Sequence, residues 1–107
     1  MLKFMVVVYR RADLTPEQFR QHFEQIHGAL AKQLPGLKKY TQNYVAPDPN
    51  RESPGWDAIV ELYFDDAAAM EAAWASPQGA ASDADLPKFA DMTRTTWSVV
   101  EEVEVLP

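Results

Sequence analysis

Four stretches of the chain are rich in the β-branched and aromatic residues that favour β-strands: residues 2–9, 37–46, 56–64 and 93–105. In the first stretch both alternating sets of side chains are apolar, Leu2, Phe4, Val6 and Val8 on one side and Met5, Val7 and Tyr9 on the other. A strand of this kind is covered on both of its faces. The pattern therefore predicts a sheet whose two faces are both buried.

A helix with clear start and stop signals follows the first strand. Thr15 and Gln18 form a capping box, Pro16 occupies the first helical position, and Pro35-Gly36 ends the helix. Apolar residues recur between these signals at helical spacing. They predict one buried stripe, made of Phe19, Phe23, Ile26, Leu30 and Leu34.

A second helical region lies between the third and fourth strands. Asp65 or Asp66 caps an alanine-rich helix, and Ser76-Pro77 begins a short further helix before an irregular stretch that reaches Met92. The order β-α-β-β-α-β predicts one ferredoxin-like α+β domain over residues 1–107, with a four-stranded antiparallel sheet and its helices on one face. Because the first strand is apolar on both sides, we expect an identical subunit to cover the open face. Such a homodimer forms a dimeric α+β barrel with a small apolar pocket between or beside the sheets.

Charge and composition exclude several classes of function. The 107 residues carry a formal net charge of −6 and scattered Lys and Arg, which argues against nucleic acid or an anionic membrane as a partner. The apolar N-terminal run is too short to span a bilayer, and we expect a cytoplasmic protein. There is no cysteine, the four glycines are too dispersed for a dinucleotide or phosphate loop, and no histidine-carboxylate set is clustered. The sequence therefore predicts neither a cofactor nor a metal.

Several short runs, taken in order and spacing, resemble the EthD family of dimeric α+β barrel proteins over nearly the whole chain. The runs are 8–11, 14–19, 27–30, 34–37, Tyr40 with Gln42-Asn43, and 61–65. One departure is Ala29, where the family often has proline. The resemblance implies a homodimer with a pocket near the first helix and the sheet, and a connection with the catabolism of ethers, lactones or aromatic compounds.

The resemblance does not identify the chemistry. Some members of the family carry a reductase label or accompany an ether-degrading oxygenase, and relatives with the same barrel include isomerases, decarboxylases, monooxygenases and haem proteins. No cofactor motif supports an oxidoreductase here. A haem held by His27 stays open as an alternative.

His27 is the first catalytic candidate. On an ideal α-helix it lies about 60° from the centre of the apolar stripe, at the border between core and surface. An imidazole there can act as a general acid or base in a pocket, or simply bond to the backbone. His22 lies about 140° away around the same helix, so the two histidines cannot jointly bind one metal ion, and we expect His22 to be a surface residue.

Glu61 is the second catalytic candidate. Alternation along the third strand places it, with Tyr63, on the face that the partner is expected to cover. There it is either an acid or base with a raised pKa or one half of a salt bridge across the dimer. Tyr40 and Asn43 on the second strand, together with Tyr63, are the predicted substrate-binding residues, with cross-strand pairing as the alternative role.

Two functions fit these features. The first is a cofactor-independent isomerase or lyase that moves a proton on a small oxygenated or aromatic compound. The second is a non-catalytic ligand-binding protein that serves an oxygenase pathway. Both need the apolar pocket, but only the first needs a histidine that faces it.

Overall fold

The computed structural model describes all 107 residues as one four-stranded antiparallel sheet with helices on one face, the ferredoxin-like fold that the sequence predicts. The strands are β1 (Leu2–Val8), β2 (Lys39–Tyr44), β3 (Ala58–Phe64) and β4 (Thr96–Val100). Their spatial order is β2-β3-β1-β4, which places the two most apolar strands, β3 and β1, at the centre of the sheet. Val6 pairs with Val60 on one side and with Trp97 on the other, which fixes the register across the centre of the sheet.

The helices follow the predicted order. The first helical segment runs through α1 (Pro16–Gln21), a π-helical turn (His22–His27) and α2 (Gly28–Ala31), and the second region contains α3 (Ala67–Ala75), α4 (Pro77–Asp85) and a 3-10 turn (Leu86–Lys88). Thr15 forms the predicted capping box with Gln18, and Asp66 and Ser76 cap α3 and α4. No helix combines the length and apolarity needed to cross a bilayer.

The last strand is shorter than predicted. It ends at Val100, and residues 101–107 are exposed and form no strand. Val103 and Val105 favour a strand by residue type, but no neighbouring strand is available to pair with them.

The π-helical turn corrects the predicted apolar stripe. Its backbone hydrogen bonds join residues five apart, where those of an α-helix join residues four apart. The bond from the Gly28 amide to the Phe23 carbonyl is one of them. The wider turn moves Ile26 out to solvent, where it is 52% exposed. The residues that are buried along this helix follow a spacing close to four: Phe19, Phe23, His27, Ala31 and Leu34.

The two faces of the sheet differ in their cover. Alternate residues of β1, β2 and β3, such as Val8, Val60 and Phe64, point toward the helices and form the core with Phe23 and Phe89. On the other face, the residues that alternate with them are half-buried or exposed, and no helix packs against them. These residues include Lys3, Met5, Val7, Thr41, Asn43, Ile59, Glu61 and Tyr63. We call this the open face.

Candidate functional site

A cavity of about 440 Å³ lies between the helices and the sheet within a single chain. Twelve of its fifteen lining residues are hydrophobic. Phe4, Val6 and Leu62 of the sheet form one wall, and Phe23 and other helical residues form the opposite one. The predicted pocket depended on a second sheet across a dimer. The cavity lies near the first helix and the sheet, as the resemblance implies, but its walls come from a single chain and not from two facing sheets.

The cavity opens near the edge strand β4. Trp97 and Met92 line it, and Trp97 is 56% exposed, so its ring lies where the cavity meets solvent. Trp97 is therefore not a core residue. Asp83 is the one ionised side chain among the lining residues, and no Lys or Arg is present there.

His27 is brought into this cavity by the π-helical turn. It is buried between the rings of Phe23 and Phe89, whose centroids lie 5.5 Å and 5.0 Å from its own. Its Nδ1 lies 3.0 Å from Oδ2 of Asp85, a carboxylate on α4 whose side chain is 4% exposed. The alternative considered for this histidine was a hydrogen bond to the backbone. Its partner is instead a buried carboxylate.

His22 contacts the same carboxylate. Its Nε2 lies 3.0 Å from both Oδ1 and Oδ2 of Asp85, and its side chain is 22% exposed. The prediction that His22 is a surface residue was wrong, because it is largely buried against the carboxylate that His27 also contacts. The angle of about 140° assumed an α-helix, whereas the hydrogen bonds of a π-helix join residues five apart and so bring them to the same side of the helix.

The hydrogen bond to Asp85 determines which nitrogen of His27 is available. An ionised carboxylate only accepts hydrogen bonds, so Nδ1 of His27 carries the hydrogen and Nε2 keeps its lone pair. Nε2 has no protein partner. Burial lowers the pKa of His27 below its ordinary value of 6.5, and the hydrogen bond to Asp85 opposes this only in part. The imidazole is therefore neutral at neutral pH and able to accept a proton.

This lowered pKa has a consequence for stability. Folded His27 binds a proton less well than the unfolded chain does, so its contribution to stability is complete above pH 6.5 and is lost as the pH falls toward the folded value. We expect the free energy of unfolding to decrease from about pH 7.5 to about pH 5.5, and the His27→Gln variant to show a smaller decrease. Urea denaturation of both proteins at the two pH values measures the difference. Equal decreases in the two proteins would contradict the lowered pKa.

Tyr40 contacts the cavity from β2, as its predicted substrate-binding role requires. Its hydroxyl oxygen accepts a hydrogen bond of 2.7 Å from Nε2 of Gln42, which also donates to the carbonyl of Phe23 in the π-helical turn. The phenol hydrogen of Tyr40 has no protein acceptor. Burial raises the pKa of Tyr40 to about 12, so the hydroxyl keeps its hydrogen and can donate it.

Glu61, Asn43 and Tyr63 lie on the open face, and the sheet separates them from His27 and Tyr40 in the same chain. Glu61 Oε2 is 2.6 Å from Nζ of Lys3, and its other oxygen accepts from Nδ2 of Asn43 at 3.1 Å. The hydroxyl of Tyr63 bonds to Glu61 and to Glu102. Lys3 holds the pKa of Glu61 below its usual range, which is the opposite of the raised value considered for an acid catalyst.

Asp85 is the site residue that the sequence did not reveal. It follows Gly79 and Ser82 along α4, and all three are buried on one helical face that has no large apolar residue. A stripe of small and polar residues facing inward is the signal that was available. Its histidine partners lie 63 and 58 residues earlier in the chain, so spacing gave no indication of the contact. No three His, Asp or Glu side chains are arranged to hold a metal ion.

Comparison with known proteins finds a family model, a related sequence and a related crystal structure that match this chain. The EthD domain family model matches residues 11–93 of this chain. An uncharacterised 11.0 kDa protein from the thcB-thcC intergenic region of Rhodococcus erythropolis is 30% identical to this chain over 107 residues. The match covers the whole length of both proteins. The crystal structure of an EthD (ethyl tert-butyl ether) family protein from Bacillus halodurans has a TM-score of 0.80 at 26% identity, covering 96% of this chain and all of that one.

More distant structures share the fold. A dimeric ferredoxin-like protein of unknown function from Bacteroides fragilis has a TM-score of 0.68 at 15% identity, over 94% of this chain and 95% of that one. SnoaB, a cofactor-independent oxygenase from Streptomyces nogalater, also has a TM-score of 0.68 at 15% identity, over 99% of this chain and 96% of that one. At these identities the likeness concerns the fold alone.

Proposed function

The chain belongs to the EthD family, and from that premise we propose that it is a cofactor-independent enzyme that moves a proton on a small, neutral, oxygenated or aromatic compound. His27 is the general base. The observation that carries the proposal is the neutral imidazole that lines an apolar cavity while Asp85 holds its other nitrogen. SnoaB supports a catalytic role for this fold without a cofactor, although its identity to this chain is low.

The lining of the cavity supports a neutral substrate. A volume of about 440 Å³ is within the size range of small-molecule pockets. Aromatic rings line much of it, and no Lys or Arg is present to pair with a carboxylate or phosphate. Asp83 would repel an anion. A compound of one or two rings that carries a carbonyl or hydroxyl group fits this environment.

The proposed reaction begins with removal of a proton from carbon. Nε2 of His27 takes the proton from a C–H group beside a carbonyl, and the electron pair of that bond moves onto the carbonyl oxygen to form an enolate. The hydroxyl of Tyr40 donates a hydrogen bond to this oxygen, and the Asp85 carboxylate stabilises the imidazolium. Return of the proton to a different carbon completes an isomerisation, and loss of a leaving group beside the carbanion completes a lyase reaction.

Deuterium exchange into 2-tetralone tests this proposal without knowledge of the natural substrate. The compound is a neutral two-ring ketone with an acidic C–H group beside its carbonyl. In deuterated buffer at neutral pH we expect the protein to accelerate exchange by at least about 10²-fold over buffer, measured by proton NMR. Binding of 2-naphthol, which resembles the enol of 2-tetralone, without any exchange would instead support the non-catalytic ligand-binding function.

A homodimer through the open face is the second part of the proposal. Met5, Val7 and Ile59 form an apolar strip on that face which no helix covers. The Bacteroides fragilis protein of the same fold is described as dimeric. Glu61, Asn43 and Tyr63 then stabilise the subunit contact as a network with Lys3, and they take no part in the reaction in the cavity.

Sedimentation equilibrium at micromolar concentration tests the dimer. The wild-type chain should sediment as a dimer and the Ile59→Asp variant as a monomer, because the variant buries an unpaired charge in the interface. Ile26→Asp is the matched control, since Ile26 is exposed on the helical side, and it should remain dimeric. A monomeric wild-type protein would contradict this part of the proposal and leave the cavity site unaffected.

A further inference from the structure

We propose that His22 is a positioning residue for His27 that acts through the shared carboxylate of Asp85. It fixes the carboxylate so that His27 presents Nε2 to the cavity. The inference deepens the proposed function and rests on it, because it assigns His22 a part in regulating the same base.

The geometry of the carboxylate supports this role. Both oxygens of Asp85 lie 3.0 Å from Nε2 of His22, and one of them also accepts from Nδ1 of His27. These two imidazoles are the only side-chain donors to the carboxylate, which is almost completely buried. A buried carboxylate that loses one of two donors is left partly unsatisfied and free to rotate.

The aromatic packing holds both imidazoles in place. The ring centroids of His22 and His27 lie 5.1 Å and 5.0 Å from that of Phe89, which is fully buried. The π-helical turn places the two histidines on the same side of the helix, so one buried ring and one buried carboxylate orient both. At this proximity a charge on His22 opposes a charge on His27.

Exposure distinguishes the two imidazoles. His22 reaches solvent, whereas His27 is buried against the apolar cavity. The charged or titratable groups around His27 are His22 on its own helix, Asp83 and Asp85 on α4, and the phenol of Tyr40 on β2. The two aspartates favour a proton on His27, while burial and a charge on His22 oppose it.

Two substitutions of His22 separate the effect of its hydrogen-bond donor from the effect of its charge. His22→Phe keeps a ring against Phe89 but removes both the donor and the charge. His22→Gln keeps an N–H donor for Asp85 and removes only the charge. We expect the titration midpoint of His27, followed by nitrogen-15 NMR of labelled histidine, to rise in His22→Phe and to rise less in His22→Gln. The rate of 2-tetralone exchange in His22→Phe should fall by roughly 3- to 10-fold at about pH 6 and recover by about pH 8.

The outcomes distinguish the inference from the function on which it rests. A midpoint of His27 that is unchanged or lower in both variants overturns the role of His22. A loss of rate that is equal at both pH values, with the midpoint unchanged, shows that His22 only supports the structure and also overturns it. If the wild-type protein exchanges no deuterium but the midpoint rises as expected, the proposed function fails while the coupling of His22 to His27 stands. Circular dichroism confirms that each variant is folded.

Discussion

His27→Gln should lower the rate of deuterium exchange into 2-tetralone by about 10²- to 10⁴-fold, the usual contribution of a general base. Glutamine fills similar space and can donate to Asp85, but it has no nitrogen that accepts a proton. Because burial lowers the pKa of His27 below 6.5, the imidazole is mainly in its neutral, proton-accepting form at neutral pH. The loss should therefore appear as a lower kcat with little change in the affinity for 2-naphthol.

Ile26→Ala is the matched control for this substitution. Ile26 is adjacent to His27 in the chain but is exposed and does not line the cavity. The control should exchange deuterium within about twofold of the wild-type rate, since surface substitutions away from a site have small effects. If His27→Gln kept the wild-type rate, another residue would have to be the base.

Phe23→Ala should reduce the free energy of unfolding by about 3–5 kcal/mol, the usual cost of removing a buried phenylalanine. Phe23 is 1% exposed, and its ring centroid lies 4.6 Å from that of Phe89. Ile26→Ala should cost less than about 0.5–1 kcal/mol, because the π-helical turn leaves Ile26 exposed. Urea denaturation at one fixed protein concentration gives both values.

The comparison of these two variants tests the π-helical turn itself. In a regular α-helix, Ile26 belongs to the buried stripe with Phe23, and both substitutions would then be costly. A cost of about 2 kcal/mol or more for Ile26→Ala would show that the helix is regular and that His22 and His27 do not meet at Asp85.

The fold could be predicted because it depends on local patterns. The strands show side chains that alternate between two faces, and the Thr15 capping box marks the start of the first helix. The π-helical turn could not be predicted in this way. It is stabilised by contacts from distant elements, namely the Gln42 amide on the Phe23 carbonyl and the packing of Phe89 against the helix. Because the hydrogen bonds of this turn span one residue more than those of an α-helix, the predicted positions of Ile26 and His22 were wrong.

The site was predictable only in part. His27 was identified because a histidine at the border of the apolar stripe can face a pocket, and Tyr40 does reach the same cavity. Asp85 escaped notice since its role depends on a contact across 58 residues. Alternation along β3 correctly placed Glu61 on the open face, but that placement also separates it from His27. The cavity lies on the helical face of the sheet, so the predicted residues on the open face cannot share a site with His27 in the same chain.

A crystal structure with 2-naphthol bound tests most directly whether the site lies inside each chain. We expect the naphthol in the cavity, with its hydroxyl at hydrogen-bond distance from Tyr40 and its C1 carbon within about 3–3.5 Å of Nε2 of His27. Naphthol bound on the open face beside Glu61 and Tyr63, with nothing in the cavity, would contradict the account.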